Sequence, residues 1–218
     1  ENIITPYLSR LEEFCCNPAG DPLGVSLTGD DQVSPKLLQL GKICLEHIQS
    51  KTEGKILVFT NQIGSAKAAA NYLETIPELA GSIIHYKASE KETHAATLKN
   101  DDTKKILVGV GTSLDTGLNL QSCSRLCRLE SVWTPGKKEQ GDSRVHRPVV
   151  SATGDKRKEV FIDTIVANGT IDITKMALLI TKTISVEKFK NAGNPHYDQL
   201  EVPTMFKMSM ENIFSMND

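Results

Sequence analysis

Short apolar runs alternate with amphipathic stretches along most of the chain. Positions 55–60 read Lys-Ile-Leu-Val-Phe-Thr, and 105–110 read Lys-Ile-Leu-Val-Gly-Val. Their apolar residues are consecutive rather than alternating with polar ones. Each run therefore predicts a strand covered on both faces, as in a parallel sheet. Further strands are predicted over 82–86, 125–132 and 159–166. Helical spacing intervenes over 66–75, over 90–99 with Ser89 as the cap, and over 170–182. Upstream, Ile4, Leu8, Leu11 and Phe14 predict a helix over 3–14, which stops at Asn17-Pro18 because a residue before proline is driven out of the helical region. Ser34-Pro35 reads as a cap followed by proline at the first helical position. The helix it opens carries Leu37, Leu38, Leu40, Ile43, Cys44, Leu45 and Ile48, runs to about Ser50, and is closed off by Gly54. Buried strands alternating with helices predict an α/β fold with a central, mainly parallel sheet flanked by helices.

Composition narrows the class. The chain has 218 residues, 39% of them apolar and only 5% aromatic, so aliphatic side chains must fill the core. A formal net charge of −2 argues against a surface that clings everywhere to nucleic acid, but leaves room for a local basic face. The five cysteines include no pair at the two-residue gap of a zinc knuckle, which predicts reduced thiols and no metal site. No apolar run reaches membrane-spanning length, so no membrane partner is expected. The first residues, Glu-Asn-Ile-Ile-Thr, resemble neither a signal peptide nor an initiator, and the expectation is a segment of a longer intracellular protein.

In open α/β sheets, ligands bind beyond the carboxyl ends of the strands. Three segments rich in small polar residues or glycine fall there: Thr60-Asn-Gln62, Gly111-Thr-Ser113 through Asn119, and Trp133 through Arg147. Amides and hydroxyls in such loops suit phosphate oxygens, although loops are also polar for solubility. In the third segment, Gln140, Arg144 and Arg147 stand at i, i+4 and i+7, on one face if the segment is helical throughout. Arginine is permanently charged and forks onto phosphate, so this face suits a polyphosphate; the plainer reading is a solvated face paired with Glu139 and Asp142. The sequence contains no Gly-x-x-x-x-Gly-Lys-Ser/Thr loop and no Asp-Glu pair after a strand. A nucleotide met by this chain would be cradled elsewhere.

The ordered segments resemble the C-terminal RecA-like lobe of superfamily-two helicases, and among them the Swi/Snf-type DNA-dependent ATPases. Leu11-Glu-Glu-Phe-Cys-Cys-Asn-Pro18 resembles that family's leucine-rich leading helix, and Ser34-Pro-Lys-Leu37 the start of the helix before motif IV. Lys55 through Gln62 resembles motif IV, and 85–98 the short strand and helix that follow. The stretch 107–120, ending Thr116-Gly-Leu-Asn-Leu120, is similar to motif V. Glu130-Ser-Val-Trp-Thr-Pro135 resembles the strand end before motif VI, and Gln140-Gly-Asp-Ser-Arg-Val-His-Arg147 resembles motif VI itself. The stretch 160–171 is similar to the closing strand and the helix start after it. The sequence departs from the usual pattern at Leu114 and Asp115, where motif V has a double glycine, and at Ser143 and Pro148. These departures are more like a compact bacterial or viral member.

The resemblance implies a three-layer RecA-like lobe over 34–188, with a leading helix and loop over 1–33 and an extended tail over 189–218. It implies ATP as cofactor, shared with an N-terminal helicase lobe in cis that also holds Mg2+, and double-stranded DNA as partner. By position, Arg144 and Arg147 would be arginine fingers, with Gln140, Asp115 and Gly117 beside the nucleotide. Thr60, Asn61, Thr112 and Ser113 would contact one DNA strand. The lobe alone would be inactive, and its setting would be cytoplasmic if the source is bacterial or viral. An RNA helicase lobe shares the same arginine pair, and a non-motor α/β domain using the old lobe surface for protein binding is the other alternative. Secondary expectations are a core or interface role for Trp133, with base stacking as the alternative, a packing or hydrogen-bonding role for His146, structural or exposed roles for the other histidines, a solvated turn at 155–158, with a basic rim as the alternative, and methionine packing at 205–216.

Overall fold

The computed structural model describes residues 4–20, 33–50, 53–114, 120–146 and 159–192. Five strands, β1 (Lys55–Thr60), β2 (Ile83–His85), β3 (Ile106–Val110), β4 (Cys123–Arg128) and β5 (Phe161–Thr164), form one sheet in the order β2-β3-β1-β4-β5. Every pairing is parallel. The helices are α1 (Ile4–Cys16), α2 (Pro35–Gln49), α3 (Ile63–Glu74), α4 (Lys91–Asn100), the single turn α5 (Gly111–Leu114), α6 (Pro135–Val145) and α7 (Ile171–Lys190). This is the expected RecA-like architecture.

β1 sits centrally, and all six of its residues are buried. Its side chains alternate between two cores. Ile56 and Val58 face α2 and α3, packing with Leu40, Cys44, Ala69 and Leu73. Leu57 and Phe59 face the other layer, with Leu98 of α4, Leu114 of α5 and Val145 of α6. From β1 the chain moves one way to β2, then back across the sheet to β3, β4 and β5. With right-handed crossovers this reversal sends the connecting helices to opposite faces, and opens a crevice at the carboxyl end of β1.

Local chemistry sets several boundaries as the sequence predicts. The Ser34 hydroxyl accepts from the Leu37 amide at 3.2 Å, with Pro35 at the first helical position. Gly54 turns the chain into β1 at φ 99°, a conformation that favours glycine. All described cysteines are free, and burial pushes the Cys44 thiol up to about 12. Among the described residues, no helix is long and apolar enough to cross a membrane.

Other boundaries differ from the expected ones. α4 begins at Lys91, and Ser89 lies inside a preceding 3-10 turn rather than capping the helix. β4 starts two residues earlier than predicted and leaves the sheet after Arg128, because Glu130 turns inward. α7 runs eight residues past its expected end, and Thr181, Thr183 and Ser185 around that end are weak helix formers. Their hydroxyls donate back to the carbonyls four residues earlier, at 2.8–2.9 Å.

Two buried ion pairs bind α7 to the first two helices. Lys36 of α2 meets Asp172 at 2.7 Å, and Glu12 of α1 meets Lys175 at 2.7 Å, with all four side chains essentially inaccessible. Asp172 also accepts from the Ala167 amide at 3.0 Å. Burial raises the Glu12 pKa against the pull of Lys175, and burial lowers that of Lys175 against the pull of Glu12. Removing one partner strands the other charge in the interior. Lys175→Ala should cost about 3–5 kcal/mol in urea unfolding, whereas the double change Glu12→Leu/Lys175→Met should recover most of that loss. A double variant as unstable as the single one would contradict this account.

Burial, then Lys87 and His94, holds the His85 pKa below its ordinary value. The folded chain therefore binds that proton more weakly than the unfolded chain. Stability should be lost as pH falls from about 6.5 through the lowered folded value. The His85→Gln variant should show a flatter stability profile in that window.

Candidate functional site

The crevice at the carboxyl edge is a cleft of about 290 Å³. Its walls come from the ends of three strands: Thr60, Asn61 and Gln62 after β1, Gly111 and Thr112 after β3, and Arg128 and Glu130 at the end of β4. Lys137 and Gly141 of α6 close one side, and Ser9 and Glu12 of α1 another. Adjacent parallel strands end at this edge, so residues distant in sequence meet here.

Glu130 organises the floor. Its side chain is 2% exposed. One carboxylate oxygen accepts from the backbone amides of Asn61 and Gln62, the latter at 3.1 Å. The other accepts from the Ser65 hydroxyl at 2.6 Å. These donors lie at the N-terminus of α3, where helix amides lack partners and the helix dipole favours negative charge. The carboxylate thus replaces the side-chain cap that Gln62 does not provide. It also explains why α3 begins at Ile63, three residues before its expected start.

That arrangement decides what the first loop can offer. Thr60 is fully buried, and its hydroxyl donates to the Gln62 carbonyl at 3.0 Å. The Asn61 amide is engaged by Glu130, and its side-chain nitrogen donates to the Ser131 carbonyl at 2.9 Å. In this geometry Thr60 and Asn61 hold the loop in shape. Thr112 is exposed at the cleft, while Ser113 receives the Tyr86 hydroxyl on its carbonyl at 3.4 Å. Asp115 and Gly117 lie outside the described residues.

The third segment forms α6. Gln140 is exposed and Arg144 half-buried, one turn apart on the same face. The helix ends at Val145, and the His146 amide closes its last turn on the Asp142 carbonyl at 3.0 Å. Arg147, at the i+7 position, lies outside the described residues. Asp142 pairs with Arg128 and, at 2.7 Å, with Lys138. Arg128 was not singled out by motif spacing, and Glu130 entered only as the first residue of the stretch resembling the strand end before motif VI; the other signal was that both are charged positions inside a predicted strand.

Trp133 is half-buried, with the Lys175 ammonium 4.6 Å from its ring centroid and Lys182 donating to its carbonyl at 3.1 Å. It is committed to α7 rather than presented for stacking. His146 is exposed, His47 is buried with Nε2 3.2 Å from the Gly54 carbonyl, and His94 lies against Glu90 and Tyr86. The 155–158 run, His196 and the 205–216 methionines lie outside the described residues. No described grouping of His, Cys, Asp or Glu could hold a metal ion.

The model of the helicase conserved C-terminal domain matches residues 36–149, more than half of the chain. No curated protein matches. The fold is similar to the C-terminal part of the Fun30 ATPase domain, with a TM-score of 0.60 and 20% identity over 95% of this chain and 62% of that one. It is also similar to the Sulfolobus solfataricus SWI2/SNF2 ATPase core in complex with dsDNA, with a TM-score of 0.59 and 19% identity over 90% of this chain and 40% of that one. The C-terminal domain of a Sulfolobus solfataricus SWI2/SNF2 ATPase gives 0.53 and 18% over 93% of this chain and 75% of that one. This chain thus spans less than two thirds of the length of the first two structures. The chain belongs to the helicase conserved C-terminal domain family, and its fold is that of the RecA-like second lobe of SWI2/SNF2 ATPases.

Proposed function

We propose that this chain is the second lobe of an ATP-dependent translocase acting on duplex DNA, completed by a first lobe that holds ATP and Mg2+. One observation carries the reading. In a chain of this family, a single edge of the sheet presents both an exposed hydroxyl, at Thr112 of α5, and an arginine-bearing helix, α6. The duplex bound by the Sulfolobus core supports the choice of DNA over RNA.

In this reading Arg144 and Arg147 reach toward the γ-phosphate of ATP, with Gln140 on the same helix as Arg144. ATP supplies the phosphoanhydride whose cleavage drives cleft opening and closing. Fixed guanidinium groups stabilise charge that builds on transferring phosphate oxygens, and they do so without reorganising. Asp115 and Gly117 lie beside the nucleotide. Thr112 and Ser113, on α5, meet one DNA strand, beside the β1 loop that Thr60, Asn61 and Glu130 hold in shape. The lobe alone contains only half of the catalytic site and turns over no ATP.

Joined to a first lobe, Arg144→Ala or Arg147→Ala should slow DNA-stimulated ATP turnover by about 10³-fold or more. Duplex affinity should be retained. Normal turnover in a folded variant sinks the finger assignment, and turnover by the isolated lobe sinks the shared-site reading. Thr112→Val should weaken duplex binding by roughly threefold to tenfold, as expected for one lost hydrogen bond. Titration with labelled duplex DNA, single-stranded DNA and RNA should rank the duplex first, and a preference for RNA would move the lobe to the RNA helicases.

A further inference from the structure

α6 is a weak helix in a demanding position. Its eleven residues include two glycines, an aspartate and a serine, and Thr134 makes no side-chain cap. Such a sequence is not helical by itself. Its lobe-facing side consists of Lys138, Gly141, Asp142 and Val145, and Val145 is the one buried apolar side chain on it. A single valine holds a helix near a surface but sets neither its depth nor its rotation.

Arg128 supplies what the apolar face lacks. It leaves the end of β4 and is only 3% exposed. Its guanidinium lies 5.4 Å from the Phe59 ring centroid. One terminal nitrogen donates to the Lys138 carbonyl at 3.2 Å and to the Asp142 carboxylate. The backbone contact sets how far α6 stands from the sheet. The side-chain contact one turn later sets its rotation. Gly141 lies between these two positions, and a Cβ there would come within 2.8 Å of the guanidinium and 3.0 Å of the Phe59 ring. The helix is therefore seated directly on the arginine and the ring. A rotation of one residue, about 100°, would move Arg144 off its face.

We propose that Arg128 is the positioning residue of α6, fixing the helix so that the face bearing Gln140 and Arg144 points out of the lobe. The proposal rests on the reading of that face as nucleotide-directed, and it assigns Arg128 no contact with nucleotide. The guanidinium matters because its rigid plane holds the donating nitrogen in place beside the Phe59 ring; an ammonium on a flexible stem is a hydrated point charge and is not held that way.

Amide hydrogen exchange on the 218-residue chain tests the proposal without nucleotide. In Arg128→Met, amides of α6 should exchange at least tenfold faster, while those of β1 and β3 keep their protection. Arg128→Lys should fail to restore α6, although it restores the charge. Asp142→Asn should loosen α6 by a smaller factor, and Arg128→Met/Asp142→Leu should be no looser than Arg128→Met alone. Unchanged exchange of α6 in Arg128→Met, or full rescue by lysine, overturns the proposal. If Arg128→Met does not fold, Asp142→Asn decides: wild-type protection of α6 in that variant overturns the proposal equally. In the two-lobed protein, Arg128→Met should lower kcat for ATP with little change in KM. Loosened α6 together with normal turnover in Arg144→Ala would retain the positioning role and reject the nucleotide-facing reading. The reverse pattern would reject the positioning role alone.

Discussion

The functional edge of this lobe depends on a carboxylate buried where two strands end. Glu130 stands at the exit of β4, removed from water, and a bare carboxylate there would be strongly unfavourable. It is tolerated because two backbone amides and a hydroxyl at the start of α3 donate to it. Hydrogen bonds to a charged group contribute about 1.5–3 kcal/mol each, enough to offset a large part of the desolvation cost. This contact determines where β4 leaves the sheet, where α3 begins and what shape the loop between them takes. It also spends the amides of that loop inside the protein.

Buried charge elsewhere in the lobe is used similarly. Arg128 is held by Asp142 and a ring, Glu12 by Lys175, and Lys36 by Asp172. These buried groups bind elements that share little apolar surface: α6 to the sheet, α7 to α1 and α2. Paired interior charges add little net stability relative to well-packed apolar residues, but they are directional. Direction is what a weak helix such as α6 needs. Among the described residues at the edge, Thr112, Lys137 and Gln140 are exposed.

Strands β1 and β3 were legible because Ile56 through Phe59 and Ile106 through Val108 are apolar on both faces, which only a covered parallel sheet explains. The start of α2 was legible because cap and proline are adjacent in sequence. Motif order identified the family, since each motif is a local string. The early start of α3, the inward turn after Arg128 and the anchoring of α6 were not legible. Each depends on a contact between residues separated by ten to seventy positions, and each is polar, so no periodicity marks it.

The sequence by itself determined the layered α/β architecture, the succession of elements and the edge at which polar loops gather, because alternation of covered strands and amphipathic helices admits few arrangements. Only the tertiary structure decided which polar residues at that edge are available. Thr60 and Asn61 look identical to Thr112 and Ser113 as letters in loops after strands. Their fates diverge because Glu130, delivered by a neighbouring strand, absorbs the hydrogen-bonding capacity of one loop and leaves the Thr112 side chain facing solvent. Satisfaction of a buried charge is a property of three-dimensional neighbours, and no linear spacing encodes it.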